Sequence, residues 1–511
     1  MSTTARPLPP EPAEHETDDV VEISSGLLWR QAVPSWLVSG IVHFLLLIVL
    51  ALLTVAAPQV GEQLQISATP TQPDEKVIEF EEETPQLKLD DGDSSVVTTE
   101  LSPSSFGHLS DLPTPSIMPS VDDDALTPDV SDIGLETAIA DPTARIPGGG
   151  GPAGSAYDLR NPNNRRGLPR GATESSEAAV ARALEWLANH QNADGSWNYD
   201  HRFGACAGRC GNAGTLADCR TGATAQALLP FLGAGQTHKQ GKYKKHVEAG
   251  LYFLVQQMKV KNQMGLQCGD LSQGGGTMYS HGMAAIVLCE AYGMTHDRSL
   301  MNPAQLALNH IVYAQDPVGG GWRYQPRTAG DTSVVGWQLM ALKSGHLAYL
   351  HVPQGTIAGA SKFLDSVMSD YSFYGYTDPG RGQATTAIGI LCRMYLGWKK
   401  DHPGIEKGIQ YLARTGPSPG NMYYNYYATQ CMRHYDGELW DQWNVKMRDQ
   451  LVASQAKDGH MKGSWYMNGD HGSQRGGRLY CTSMATMTLE VYYRHLPIYG
   501  KQAADDDFPV K

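Results

Sequence analysis

The sequence predicts an all-α domain of about six helical hairpins, preceded by one transmembrane helix and a disordered acidic linker. Three observations predict it. Trp36 to Ala57 contains no charged residue, and the acidic residues crowd into the stretch that follows, up to Arg145. After Ala172, apolar helices rich in small residues recur roughly every fifty residues, the spacing of a solenoid or a closed array.

The elements follow in chain order. Residues 1–35 carry six acidic and two basic side chains and read as a cytoplasmic disordered tail. Residues 36–57 are long enough to cross a bilayer as a helix. A cleaved signal peptide ending at Val55-Ala56-Ala57 is the rival reading, but the acidic flank and the long apolar core oppose it. Arg30 precedes the span and the next basic residue after it is Lys76. This bias places the N-terminus in the cytoplasm and the bulk of the chain outside, as a single-pass, periplasmic arrangement. Residues 58–174 are rich in Pro, Ser, Thr, Asp and Gly, and read as a self-repelling tether with an ideal-coil span on the order of 60 Å. Asp122-Asp123-Asp124 lies within it and reads as a solvated charge run. The acidic balance belongs to these segments; from residue 146 onward there are 28 acidic and 35 basic residues, too diffuse a surplus to argue for nucleic acid.

Residues 175–497 hold the hairpins, and 498–511 form a short tail. Six helices are apolar on nearly every side: TGATAQALLPFL, SHGMAAIVLCEAYGM, TSVVGWQLMALKSGHL, TTAIGILCRMYLGW, YYATQCMRHY and CTSMATMTLEVYYRHL. Amphipathic partners such as AVARALEWLANHQ, VEAGLYFLVQQM and LALNHIVYAQ precede them. Helices apolar all round must be buried, and those with a polar face lie outside them. Concentric inner and outer helices follow.

Between outer and inner helix stands a recurring signature: QNADGSW from Gln191, QDPVGGGW from Gln315 and QAKDGHMKGSW from Gln455. Gln can donate to and accept from a neighbouring turn, Gly supplies a left-handed turn, and Trp covers it. These stretches resemble the QW repeats of squalene/hopene cyclases and the related repeats of protein prenyltransferase β subunits, over about 320 residues. The resemblance implies an α/α toroid around a central cavity. It does not carry the activity. The cyclases' Asp-x-Asp-Asp followed by Thr-Ala falls on Thr328-Ala329-Gly330-Asp331-Thr332-Ser333, where Gly330 occupies the proton donor's place. The prenyltransferases' zinc-binding Asp-x-Cys falls on Asp331-Thr332-Ser333, with Ser for Cys. Their later His is missing from Gln383-Ala384-Thr385-Thr386, and Tyr480-Cys481-Thr482-Ser483 has Cys where that motif's His would stand. No metal or cofactor is therefore expected.

Asp331 is the candidate catalytic residue, but its place before a long apolar run makes it first a helix N-cap. A ligand-contact role is the second reading, because inner-helix N-termini in a toroid face the cavity mouth. His281, Arg323, Tyr324, Arg327, Gln383, Tyr426, Arg475, Arg478 and Tyr480 lie at or near such starts and are candidates for a polar rim that binds an anionic or peptide ligand. The expected function is a binding or scaffolding module, with a divergent isoprenoid cyclase or prenyltransferase as the alternative.

Cys289, Cys392, Cys431 and Cys481 sit in apolar helices and read as small buried hydrophobes. Cys206, Cys210, Cys219 and Cys268 lie in glycine-rich loops and suit either two disulfides or a four-cysteine zinc knot. An extracytoplasmic location favours disulfides. In the span, Ser39 and His43 stand four residues apart on one helix face, and an ionisable residue there is costly. This Ser-x-x-x-His resembles the anchors of TonB-type energy-transducing proteins, which implies a multi-span membrane partner.

Overall fold

The computed structural model describes residues 43–45, 157–161, 165, 167–272, 276–495 and 498–499. Ser39 and most of the expected span lie outside the described residues; His43, Phe44 and Leu45 are helical and exposed. No helix among the described residues is long and apolar enough to cross a membrane.

Among the described residues, twelve helices alternate between an outer and an inner ring, followed by a short helical turn at Val491–Arg494. The outer set is α1 (Glu174–Ala188), α3 (Lys244–Gln257), α5 (Arg298–Ala314), α7 (Gln354–Ser366), α9 (Pro403–Thr415) and α11 (Glu438–Ser454). The inner set is α2 (Arg220–Gly233), α4 (Met278–Thr295), α6 (Thr332–Leu347), α8 (Gln383–Tyr395), α10 (Met422–Tyr435) and α12 (Ser473–Leu489). Each inner helix packs on the next, and α12 packs back on α2, so the array closes into an α/α toroid. Burial follows the expected division. Every residue of α2 from Thr221 to Gly233 is buried, whereas α9 buries only Gly404, Ile405, Gly408, Ile409 and Leu412, one stripe at helical spacing.

The QW signature is the joint between neighbouring outer helices. Gln191 Nε2 donates to its own turn at Gly195 O (2.9 Å) and to His246 O in α3 (2.9 Å). Gln315 does the same to Gly320 O and to Thr356 O in α7. Gln455 donates to Gly463 O and, over the junction between last and first hairpin, to Ala179 O in α1 (2.8 Å), while its Oε1 accepts from Arg182. The Trp, not the Gln, meets the outer helix's own C-terminal carbonyls. Trp197, Trp322 and Trp465 donate from Nε1 to Leu187 O, Ile311 O and Leu451 O.

Three features depart from the expectation, one of them a short antiparallel pairing of Met368–Ser369 with Phe373–Tyr374. An antiparallel hairpin, β1 (Lys259–Gln263) and β2 (Leu266–Asp270), turns through Met264 and Gly265, both at positive φ. A two-residue loop with two left-handed residues suits the twist of a hairpin. Tyr157–Arg160, expected within the tether, forms a 3-10 turn lodged against the ring. Tyr157 donates to Ser344 O (2.9 Å), and Arg160 pairs with Glu290 of α4 at 2.7 Å. In a stretch of sequence rich in Gly, Pro and Asn, Tyr157 is a buried aromatic and Arg160 a buried cation.

Candidate functional site

Asp331 caps α6. Its Oδ1 accepts from Ser333 N and Val334 N at 3.0 Å each and from Ser333 Oγ at 2.5 Å, and the side chain is fully buried. Its Oδ2 lies 3.9 Å from Arg323 Nε. Around it the structure gathers Arg323 and Tyr324, both expected, with Tyr279 and Tyr376, which sequence reasoning missed. The hydroxyls of Tyr324 and Tyr376 are 2.5 Å apart, Tyr279 OH meets Ser333 Oγ at 2.5 Å, and the Arg323 guanidinium lies 5.7 and 5.8 Å from the rings of Tyr324 and Tyr376. Tyr376 is placed by α6 itself, since Thr332 N donates to Tyr376 O (3.0 Å). The result is a partly exposed patch of one cation and phenolic hydroxyls at the start of one inner helix.

The remaining rim candidates do not join this patch. His281 is fully buried; its Nδ1 accepts from Leu271 N (3.2 Å) and its Nε2 donates to Ala307 O (2.9 Å). Arg327 reaches Tyr313 O, and Gln383 opens α8 half-buried. Tyr426 stacks on Trp337 inside the ring (5.8 Å, 15°), with Tyr423 and Tyr427 beside it. Tyr480 is buried, and its ring lies where a Cβ on Gly472 would point. Arg475 and Arg478 serve the ring's seam. Arg475 O accepts from Thr215 N and Leu216 N, while the Arg478 side chain donates to Gly211 O (3.1 Å), Asn212 Oδ1 (2.8 Å) and Ser464 Oγ (3.1 Å). Gly477, at φ +62°, is where this loop comes closest, with the backbone of Ala213 and Gly214 occupying the place of a Cβ.

The four loop cysteines correct the disulfide expectation: all are free thiols, in three separate places. Cys219 Sγ meets Ser280 Oγ at 3.0 Å, and Cys268 Sγ points at Leu266 O and Asn309 O. Cys206 and Cys210 instead face His190 and His460, with the four donor atoms all within 4.8 Å of one another. Cys210 Sγ is 3.4 Å from His190 Nε2 and 3.1 Å from His460 Nδ1, and Cys206 Sγ is 3.9 Å from His460 Nδ1. Burial lowers the His190 imidazole to about 3 and pushes the Cys210 thiol up to about 11. Neither histidine was singled out from the sequence. The available signal was that His190 adjoins the first QW turn and His460 sits inside the last one, which a closed ring makes neighbours.

A second group, Asp270, His281 and His310, is a packing network. Both nitrogens of His281 are already engaged, and Asp270 Oδ1 takes Ser272 N and Ser272 Oγ. It pins the β-hairpin to α5, with Asp270 Oδ1 3.7 Å from His310 Nε2.

No family model matches the chain, and no curated protein matches it. Among solved structures it is similar to the α-1,6-mannanase of Salegentibacter sp. HEL1_6, at 11% identity and a TM-score of 0.43 over 62% of this chain and 99% of that one. It is similar also to a type II terpene cyclase from Scytonema (12%, 0.41, 63% and 98%) and to an α-amylase from Clostridium perfringens (12%, 0.41, 64% and 99%).

Proposed function

We propose that the toroid is a ligand-binding or scaffolding module without isoprenoid chemistry, held outside a membrane by residues 36–57. The observation that carries this is the state of positions 330 and 331. A Cβ on Gly330 would lie 2.7 Å from Gly321 Cα and 2.9 Å from the Phe363 ring, so no side chain fits where the cyclase resemblance needs its acid. Asp331 Oδ1 is occupied as an acceptor by the start of α6 while Oδ2 faces Arg323 Nε at 3.9 Å, and Ser333, at the place of a zinc-binding thiolate, is bonded to Asp331 and Tyr279. What the site offers a ligand is the Arg323 cation with the hydroxyls of Tyr324 and Tyr376, chemistry suited to a carboxylate or phosphate on a peptide or small molecule.

The test is incubation of the full chain with squalene and with prenyl diphosphates, followed by product analysis. No turnover is expected. Turnover that Asp331→Asn abolishes would overturn the reading. Two stability measurements accompany it. Asp331→Ala should lower unfolding free energy by about 1–2 kcal/mol through loss of the cap. Gly330→Ala should cost about 1–3 kcal/mol through overpacking against Gly321 and Phe363. A Gly330→Asp protein as stable as the parent would show that the position admits an acid.

A further inference from the structure

The geometry points to a closed, tetrahedral Cys2His2 site, formed by His190, Cys206, Cys210 and His460, that takes a zinc-type divalent cation and fastens the first hairpin of the ring to the last. A tetrahedron with Zn–S near 2.3 Å and Zn–N near 2.0–2.1 Å has edges of about 3.4–3.8 Å. The measured separations of 3.1, 3.4 and 3.9 Å straddle that range. The donors are two sulfurs and two imidazoles, which select zinc and similar thiophilic cations over magnesium or calcium. Four protein donors leave no open position, so the site is structural and not catalytic.

The surroundings are arranged for ligation. His190 Nδ1 donates to Trp186 O (2.6 Å), which fixes the tautomer and turns the Nε2 lone pair toward Cys210; its ring also stacks on Trp186 at 3.8 Å. Between the cysteines the chain turns through Ala207 and Gly208 at positive φ, bringing Cys210 N–H to Cys206 Sγ (3.4 Å). Arg209 ties that turn by donating to Cys206 O and Ala205 O. Cys206, Cys210 and His190 are buried, and His460 closes the cluster from the half-buried side.

Position gives the ion its purpose. Five of the six junctions between hairpins in this ring are crossed by the chain, and the sixth, between last and first, is not. There the fold relies on Gln455 bonding Ala179 and Arg182, and on Arg478 holding Gly211 and Asn212. A cation bound by His190, Cys206 and Cys210 on one side and His460 on the other cross-links that junction. Binding forms two metal–sulfur and two metal–nitrogen bonds and releases one proton from each thiol.

The experiment is elemental analysis of the full chain purified without chelator, with cobalt substitution as a spectroscopic probe. One zinc per chain is expected, together with the visible bands of tetrahedral cobalt and a thiolate-to-cobalt charge-transfer band. Cys210→Ser and His460→Ala should each lose the metal, while Cys219→Ser and His310→Ala keep it. A strong chelator should lower the thermal midpoint of the parent and leave His460→Ala unchanged. If Cys210→Ser does not fold, His460→Ala decides, since its side chain is the least buried of the four. Parent protein that retains no metal after incubation with zinc, an octahedral cobalt spectrum, or a Cys206–Cys210 disulfide in non-reduced digests would overturn the proposal.

Discussion

Replacing Glu290 with alanine is expected to destabilise the ring by about 3–5 kcal/mol, measured by denaturant unfolding at neutral pH, because it strands two buried cations. Glu290 lies on α4 with its side chain 3% exposed. Arg160 grips it with two bonds, Nη1 to Oε2 at 2.7 Å and Nη2 to Oε1 at 2.9 Å, and Arg494 Nη2 is shared between Oε2 at 3.0 Å and Oε1 at 3.3 Å. Both arginines are buried, so water cannot replace the lost carboxylate. Arg160→Ala should cost less, since Arg494 still pairs with Glu290. A loss below about 1 kcal/mol for Glu290→Ala, the level of an exposed pair, would mean the network is hydrated in solution.

The same region predicts opposite pH behaviour for two carboxyls. Burial alone would raise Glu290, but Arg160 and Arg494 more than offset it and hold the carboxyl below its ordinary value. Its stabilising contribution is therefore present at neutral pH and lost as pH falls through that depressed value. Glu490 is fully buried, neither of its oxygens is hydrogen-bonded, and its nearest cation, Arg494 Nη1, is 3.8 Å away; burial raises its carboxyl well above the ordinary range. Its contribution is present at low pH and lost as pH rises through the raised value. Unfolding of Glu490→Gln across pH should show less loss of stability with rising pH than the parent, and equal loss would remove Glu490 as its cause.

Trp465→Ala should be the other severe substitution, at about 3–5 kcal/mol for a buried aromatic in a joint. The side chain is 2% exposed, and Nε1 donates to Leu451 O near the end of α11. Its own N–H donates to Thr482 Oγ1 of α12 (3.1 Å), so one residue ties the last outer helix to the last inner one. Unlike Trp197 or Trp322, it stands beside the junction the chain does not cross. Limited proteolysis should accordingly open Trp465→Ala near Gln455 before Trp322→Ala opens near Gln315. The reverse order would place the weak junction elsewhere.

What was legible in the sequence was local or periodic. Residues 332–345 are apolar or small except for Gln338 and Lys343, all of them are buried, and Asp331 before them caps the helix as its residue type dictates. The QW turns were readable because Gln, Gly and Trp act within one joint. The hairpin at Lys259–Asp270 was not, since KVKNQMGLQCGD has mixed polarity and no strict alternation. The Cys2His2 cluster escaped for a different reason. His460 is 250 positions from Cys210, and only closure of the ring brings them together. An extracytoplasmic location favours pairing the four loop cysteines with one another, whereas Cys206 and Cys210 face histidines. Tyr376 escaped likewise, because a backbone bond from Thr332 and not a sequence motif carries it to Asp331.

Arg160 Nε donates to Arg494 O at 3.2 Å, so the segment that enters the ring touches the segment that leaves it. The domain thus begins and ends at one point on a circle, and which hairpin comes first is an accident of where the chain was cut. A circularly permuted chain, joined by a short linker between these two segments and opened at the half-buried turn around Gly437, keeps every inner-helix neighbour it had. The same adjacency lets the whole ring be spliced into a loop of an unrelated host without prising that host apart.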